Sequence, residues 1–274
     1  MSHAAEVGVV IASHDRRDSL LATLERLTSL PERPPIVVVD NASGDGSAAA
    51  VRASFPTVAV IPLAENRGVG ARNVGVAHLR TPVVAFCDDD SWWEPGALAL
   101  AADRFRRFPR LGLLAAQILV GPTRRLDPTS ALMAGSPPPD LPGPRIDGFV
   151  ACGAVVRRAA YEEAGGFCER FFIGGEEGLL ALELRRRGWE LAYDHALIAV
   201  HQPHAGSRAD RNWLTRRNDL WTSWLRRPAG VAVEDTVALA RASLRDRGER
   251  RALLAAVRGL PWALLHRRVR PVPS

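Results

Sequence analysis

The segment VVAFCDDDSWWEPGAL, Val83 to Leu98, sets the reading of the whole chain. Its first half is a continuous apolar run of the kind that fills a strand buried on both faces of a sheet. Three carboxylates follow at once: Asp88, Asp89 and Asp90. Adjacent acids at the tip of a buried strand repel one another and lose hydration, so a compensating cation is the natural reason to keep them there. Alternate residues of an extended tip point the same way, which turns Asp88 and Asp90 toward one divalent ion and Asp89 elsewhere. A hard ion held by few carboxylates completes its shell with water and substrate phosphates. The competing reading is a solvated acidic turn.

On the N-terminal side, short β-rich runs alternate with helical patterns. VGVVIAS (7–13) precedes a helix over 17–29, IVVVD (36–40) a helix near 47–54, and VAVIPL (58–63) a helix over 69–79. On the C-terminal side a helix over 95–107 leads into LGLLAAQILV (111–120). Apolar strands separated by amphipathic helices predict an α/β fold, a Rossmann-like, mainly parallel sheet flanked by helices. Ligands bind such sheets beyond the carboxyl ends of the strands, the edge that collects His14-Asp15, Asp40-Asn41 and the aspartate run.

Residues 121–147 hold seven prolines, too many missing amide donors for a regular element, and predict either a flap over the substrate or an inert surface loop. Beyond them FVACGAVVRR predicts a strand, EEGLLALELRRRG a helix, and ELAYDHALIAVH a strand or hairpin ending at His201. From Asp210 the pattern is helical, with Trp213, Leu220, Trp221 and Trp224 on one face as a core stripe. The chain therefore divides into an α/β region over 1–208 and a C-terminal helical appendage over 209–274.

Composition narrows the class. Hydrophobic residues make up 47% and charged residues 24%, as in globular proteins. All 36 basic residues are arginine, and the net charge of +6 suits anionic partners. Basic charge without a recognition motif is only a nonspecific signal, so nucleic acid is not expected as a partner. Cys87, Cys152 and Cys168 lack C-x-x-C spacing, which argues against a zinc site or disulfide framework and for a reducing cytoplasm. No apolar run reaches the roughly 20 residues needed to span a bilayer. The basic, apolar C-terminal helices suggest peripheral contact at the inner face of the membrane or a homodimer, with packing of their apolar face on the rest of the chain beneath a solvated basic rim as the alternative.

Taken in order, VVIASHDRRDSLLATLERL, IVVVDNASGDGS, ENRGVGARNVGVA, FCDDDSWWEPGAL and GGFCERFFIGGEEGLLALELRRRGWELAY resemble the family 2 glycosyltransferases. The resemblance runs from about Val7 to His201. It implies a GT-A fold, a nucleotide-sugar donor and inverting sugar transfer to an acceptor hydroxyl. In that frame Asp88 contacts ribose or metal, Asp89 belongs with the nucleotide-sugar contacts, Asp90 is the direct metal ligand and His201 a further one, with His204 a weaker candidate. Asp40 would take a pyrimidine N3–H or a ribose hydroxyl, with capping of its own turn as the alternative. Arg67 would reach a base carbonyl or phosphate, or be a plain surface arginine. Ser13 and Asp15 would touch base or ribose, or cap the first helix.

The family's usual acceptor-site pair is Glu-Asp. Here it is Glu176-Glu177, which keeps a carboxylate for general-base chemistry and leaves open which of the two faces the acceptor, with Glu177 preferred. The function so implied is transfer from a UDP- or dTDP-sugar to a saccharide, a lipid-linked saccharide or a small natural product. Sugar-phosphate nucleotidyltransfer is the rival enzyme class, although HDRRDSL is a poor match to its basic Gly-rich segment. A non-catalytic sugar-binding protein of the same fold is the other rival.

Overall fold

The computed structural model describes residues 6–203 and 208–269. His204 and Arg270 lie outside them. The first strand β1 (Val7–Ser13) pairs in parallel with β2 (Ile36–Asp40) on one side and β4 (Val83–Cys87) on the other, and β2 pairs with β3 (Ala59–Pro62). Helices α1 (Arg17–Thr28), α2 (Ser47–Ser54) and α3 (Gly70–His78) make the crossovers. The expected parallel half is therefore present, and it is covered on both faces. Val9, Ile11, Val38 and Ala85 join α1 in one core, while Val10, Val39, Val84 and Phe86 join α3 in the other. Burial on both faces is why these strands lack the usual alternation of apolar and polar residues.

After β4 come the short β5 (Ser91–Trp93), α4 (Ala97–Arg107) and the long β6 (Leu111–Val120). From here the sheet becomes mixed. The strand β8 (Ala154–Arg157) is inserted antiparallel between β4 and β6, and with β9 (Glu190–His201) the strand order is β3-β2-β1-β4-β8-β6-β9-β5. The expectation of one strand across FVACGAVVRR is corrected, since residues 151–153 form a 3-10 turn and only the last part pairs. The turn lets Gly153 pass close to Ile118, where a Cβ would come within 2.6 Å of its Cγ1.

The proline-rich stretch is corrected too. It contains β7 (Arg125–Leu126), paired with β6, and α5 (Pro128–Leu132). Proline is tolerated there because Pro128 opens the helix, where no N–H is needed, and the Asp127 carboxylate accepts from Thr129 N at 2.8 Å.

After α6 (Arg158–Ala164) and α7 (Glu176–Arg186), ELAYDHALIAVH forms a single strand, β9 (Glu190–His201), parallel to β6. A bulge after Asp194 shifts its register, and that break is what gave the segment its hairpin-like pattern. Asp194 is buried there against Arg104 at 2.9 Å. The end of β9 runs antiparallel to β5 with His201 opposite Ser91, so a residue far downstream arrives beside the aspartate run.

The C-terminal helices are α8 (Arg208–Arg226), α9 (Ala229–Ser243), α10 (Arg247–Arg258) and α11 (Leu260–Leu265). Their inner face forms a third core with Phe171 and Leu179 of the sheet-bearing region, and Leu220, Trp221 and Trp224 are buried in it as the stripe predicted. Asn218 stitches α8 down by donating from Nδ2 to Phe171 O at 3.0 Å and Gly174 O at 2.5 Å. These bonds fix the loop that immediately precedes Glu176.

Candidate active site

The carboxyl ends of β1, β4 and β9, the first turns of α3 and α7 and the start of α8 enclose a cleft of about 960 Å³. Ser13, Asp88, Asp89, Asp90, Glu176, Glu177 and His201 all line it. Asp15, Asp40 and Arg67 are not part of the lining. Their local duties explain why. Asp15 accepts from Gly44 N at 2.7 Å, Asp40 accepts from Ser43 N at 3.2 Å and closes its own turn, and Arg67 pairs with Glu169 at 2.6 Å.

The aspartate turn is held rigidly. Asp88 N donates to Ser91 Oγ at 2.8 Å, and the carbonyl of Asp89 accepts from Ser19 and Thr23 of α1 at 2.7 and 2.8 Å. Asp89 turns its carboxylate inward, accepting from Ser13 Oγ at 2.8 Å. Burial pushes its carboxyl up to about 6, against the pull of the Ser13 bond. Asp88 and Asp90 are left to the cleft. Asp90 Oδ1 lies 3.3 Å from His201 Nε2, and Asp90 Oδ2 lies 3.2 Å from Arg16. His201 is only 6% exposed, so its imidazole is held inside the cleft wall beside Asp90.

Opposite stand the two glutamates, at the first turn of α7. Exposed amides of a helix N-terminus favour carboxylates there. Glu176 is buried, and its Oε2 has no hydrogen-bond partner among the described residues. Burial raises its carboxyl above the usual range. Glu177 keeps partial access to the cleft, and burial followed by repulsion from Glu176 pushes its carboxyl up to about 7.

Between the two acidic groups lies a residue that the sequence reading passed over. The Arg72 guanidinium, in the first turn of α3, bonds Asp88 and sits in the field of Glu176 and Glu177. Burial alone would make it easier to deprotonate, but the three carboxylates reverse that and hold the charge firmly. The flanking glycines of NRGVG drew attention to Arg67. The usable signal was the helical start at Gly70, which places Arg72 on the strand-end edge of the sheet.

Cys152 and Phe172 also line the cleft and were likewise missed. A larger groove of about 1010 Å³ lies among α7, α8 and α9 and touches Gly175, Gly178 and Asp219. It contains none of the aspartate run, so the chemistry belongs to the first cleft. Carboxylate oxygens and a buried imidazole form a donor set that fits Mn2+ or Mg2+.

Comparison with known proteins follows this geometry. The family model described as Glycosyl transferase family 2 matches residues 8–165. The chain is 27% identical over 297 aligned residues to N-acetylglucosaminyl-diphospho-decaprenol L-rhamnosyltransferase of Mycobacterium tuberculosis, covering 89% of this chain and 96% of that one. Among solved structures it is similar to the mannosyltransferase PcManGT from Pyrobaculum calidifontis in complex with GDP-Man and Mn2+. That match has a TM-score of 0.59 and 21% identity, over 97% of this chain and 73% of that one. It is also similar to residues 1–349 of TarS from S. aureus in complex with UDP-GlcNAc, with a TM-score of 0.64 and 14% identity over 94% and 81%. At these identities the likeness is one of fold, the GT-A type.

Proposed function

The chain belongs to glycosyl transferase family 2 and is a glycosyltransferase, and on that premise we propose that it inverts the anomeric centre of a UDP- or dTDP-activated sugar as it transfers that sugar to a lipid-linked saccharide. One observation carries the reading. The acids suited to the leaving diphosphate and the acid suited to the acceptor line one cleft, and Arg72 lies in the field of both. The acceptor class and a deoxyhexose as cargo are supported by the rhamnosyltransferase relative, matched along nearly its whole length.

In this reading Glu177 takes the proton from the acceptor hydroxyl as its oxygen attacks, and its raised proton affinity matches a base working near neutral pH. Glu176, buried behind it, keeps that affinity high by repulsion. Arg72 fixes Asp88 and offsets negative charge gathered on both sides of the cleft. Asp88, Asp90 and His201 would hold a divalent cation, which when bound neutralises charge on the leaving nucleoside diphosphate. Ser13 and Asp89 complete the donor side, with Asp15, Asp40 and Arg67 at its border.

A lipid-linked acceptor calls for access to a membrane face. No helix among the described residues is long and apolar enough to cross a membrane. Val233, Val237, Leu254, Val257, Leu264 and Leu265 are nevertheless exposed on the C-terminal helices, interspersed with arginines. That mixture suits peripheral contact with an anionic surface. The test of the chemistry is the configuration of the product by NMR: inversion is expected, and retention would remove Glu177 from the role of base in a single displacement.

A further inference from the structure

The fold brings together a donor set that neither the family pattern nor the sequence spacing announces. Cys152 lies in the 3-10 turn before β8, is 1% exposed overall and forms part of the cleft wall. One ligand atom each from Asp88, Cys152 and His201 falls within 4.8 Å of the other two. The other thiols are not in this group. Cys87 is buried in the core behind the aspartate turn, and Cys168 packs beneath the C-terminal helices.

A carboxylate, a thiol and an imidazole on three separate elements make a mixed O, S, N set. Hard ions prefer all-oxygen shells, whereas thiolate selects thiophilic ions such as Zn2+ and Co2+. Bonded to a tetrahedral ion at about 2.3 and 2.0 Å, a sulfur and a nitrogen stand roughly 3.5 Å apart, so the three side chains need close by only about one ångström. The remaining position would be left to water or a phosphate oxygen.

We propose that Asp88, Cys152 and His201 form a thiophilic-cation site that overlaps the hard-cation site of Asp88, Asp90 and His201, so that Zn2+ or Co2+ and Mn2+ compete for the cleft. On binding, the Cys152 S–H bond breaks, a sulfur–metal bond forms and the proton leaves to solvent. No electron is transferred. Only the thiolate is a strong metal ligand, so binding at this sulfur is coupled to loss of its proton. The proposal rests on reading the cleft as a metal site, and its two parts can be separated.

The test uses the full chain and Co2+ alone. The expected result is a sulfur-to-cobalt charge-transfer band in the near ultraviolet that saturates with Co2+. It should be lost in Cys152→Ser and Cys152→Ala and retained in Cys168→Ser. Calorimetry in two buffers of different ionisation heat should show a proton released with Zn2+ in the wild type and not in Cys152→Ser. Mn2+ binding, followed by loss of its free electron-spin-resonance signal, should persist in Cys152→Ser and be displaced by Zn2+ in the wild type. Circular dichroism checks that both Cys152 variants remain folded. Absence of the band in the wild type, or its survival in the folded Cys152 variants, overturns the thiophilic site. If Mn2+ binding is normal in that case, the cleft remains a metal site without the thiol. If Mn2+ fails to bind as well, the underlying metal reading falls.

Discussion

Replacing Glu177 by glutamine should slow the enzyme and stabilise it, and the stabilisation should depend on pH. Glu177 is held up to about 7 from 4.5 by burial and by Glu176, a displacement of about 2.5 units. At about 1.4 kcal/mol per pH unit this corresponds to an upper limit of about 3.5 kcal/mol, which exposure to the cleft and sharing with Glu176 reduce to about 1–2 kcal/mol. The sign follows from the direction. A carboxyl that binds its proton more tightly when folded contributes stability below pH 4.5 and loses it as pH rises through 7. An uncharged amide in its place has nothing to lose. Thermal unfolding of the metal-free proteins should therefore show Glu177→Gln gaining on the wild type between about pH 5 and pH 8 by about 3–6 °C. Over the same interval wild-type turnover should rise as the base ionises, while the variant retains donor affinity and loses about 10²–10⁴-fold in rate. Parallel melting curves across that range would mean that Glu177 is an ordinary surface carboxylate and would remove its claim to be the base.

The remaining expectations are more compact. Asp90→Ala should keep the fold while losing Mn2+-dependent UDP binding and turnover, read by calorimetry; unchanged affinity would make the aspartate run a solvated turn. Gly68→Ala should cost about 2–5 kcal/mol in urea unfolding, because Gly68 has φ +54° and an added Cβ would stand 2.1 Å from the Phe172 carbonyl oxygen. A loss under about 1 kcal/mol, roughly the cost of an unstrained change, would show that the Gly68–Phe172 contact relaxes freely. The wild type should co-sediment with anionic vesicles at low salt, and Leu264→Glu with Leu265→Glu should weaken this at least about tenfold. No vesicle binding by the wild type would end the membrane reading.

The N-terminal strands were legible because their signals are local. Apolar runs of five to seven residues between amphipathic helices recur, and β1, β2 and β6 fall at the expected limits. The aspartate turn was legible for the same reason: three acids after VVAFC are unusual wherever the chain goes next. What stayed hidden depends on pairing between distant segments. Insertion of β8 antiparallel between β4 and β6 leaves no mark in FVACGAVVRR itself, and neither does the bulge after Asp194 that lets β9 carry His201 to Asp90. Arg72 and Arg67 look alike as letters. Only the start of α3 sends one to Asp88 and the other to Glu169. Cys152 was set aside on spacing, a criterion that finds ligands close in sequence and is blind to a thiol brought beside Asp88 and His201 by three different elements.

The central claim is that this cleft moves a sugar from a nucleotide to a lipid-linked acceptor with Glu177 as base. The direct measurement incubates the purified full chain and Mn2+ with a polyprenyl-diphosphate-linked N-acetylglucosamine and a set of radiolabelled UDP- and dTDP-sugars, L-rhamnose among them, and counts label in the organic extract. The account predicts that one donor labels the lipid phase with release of its nucleoside diphosphate, and that Glu177→Gln abolishes both. Label transferred equally well by Glu177→Gln, or no labelled lipid from any donor by a folded wild type that binds nucleotide, would contradict it.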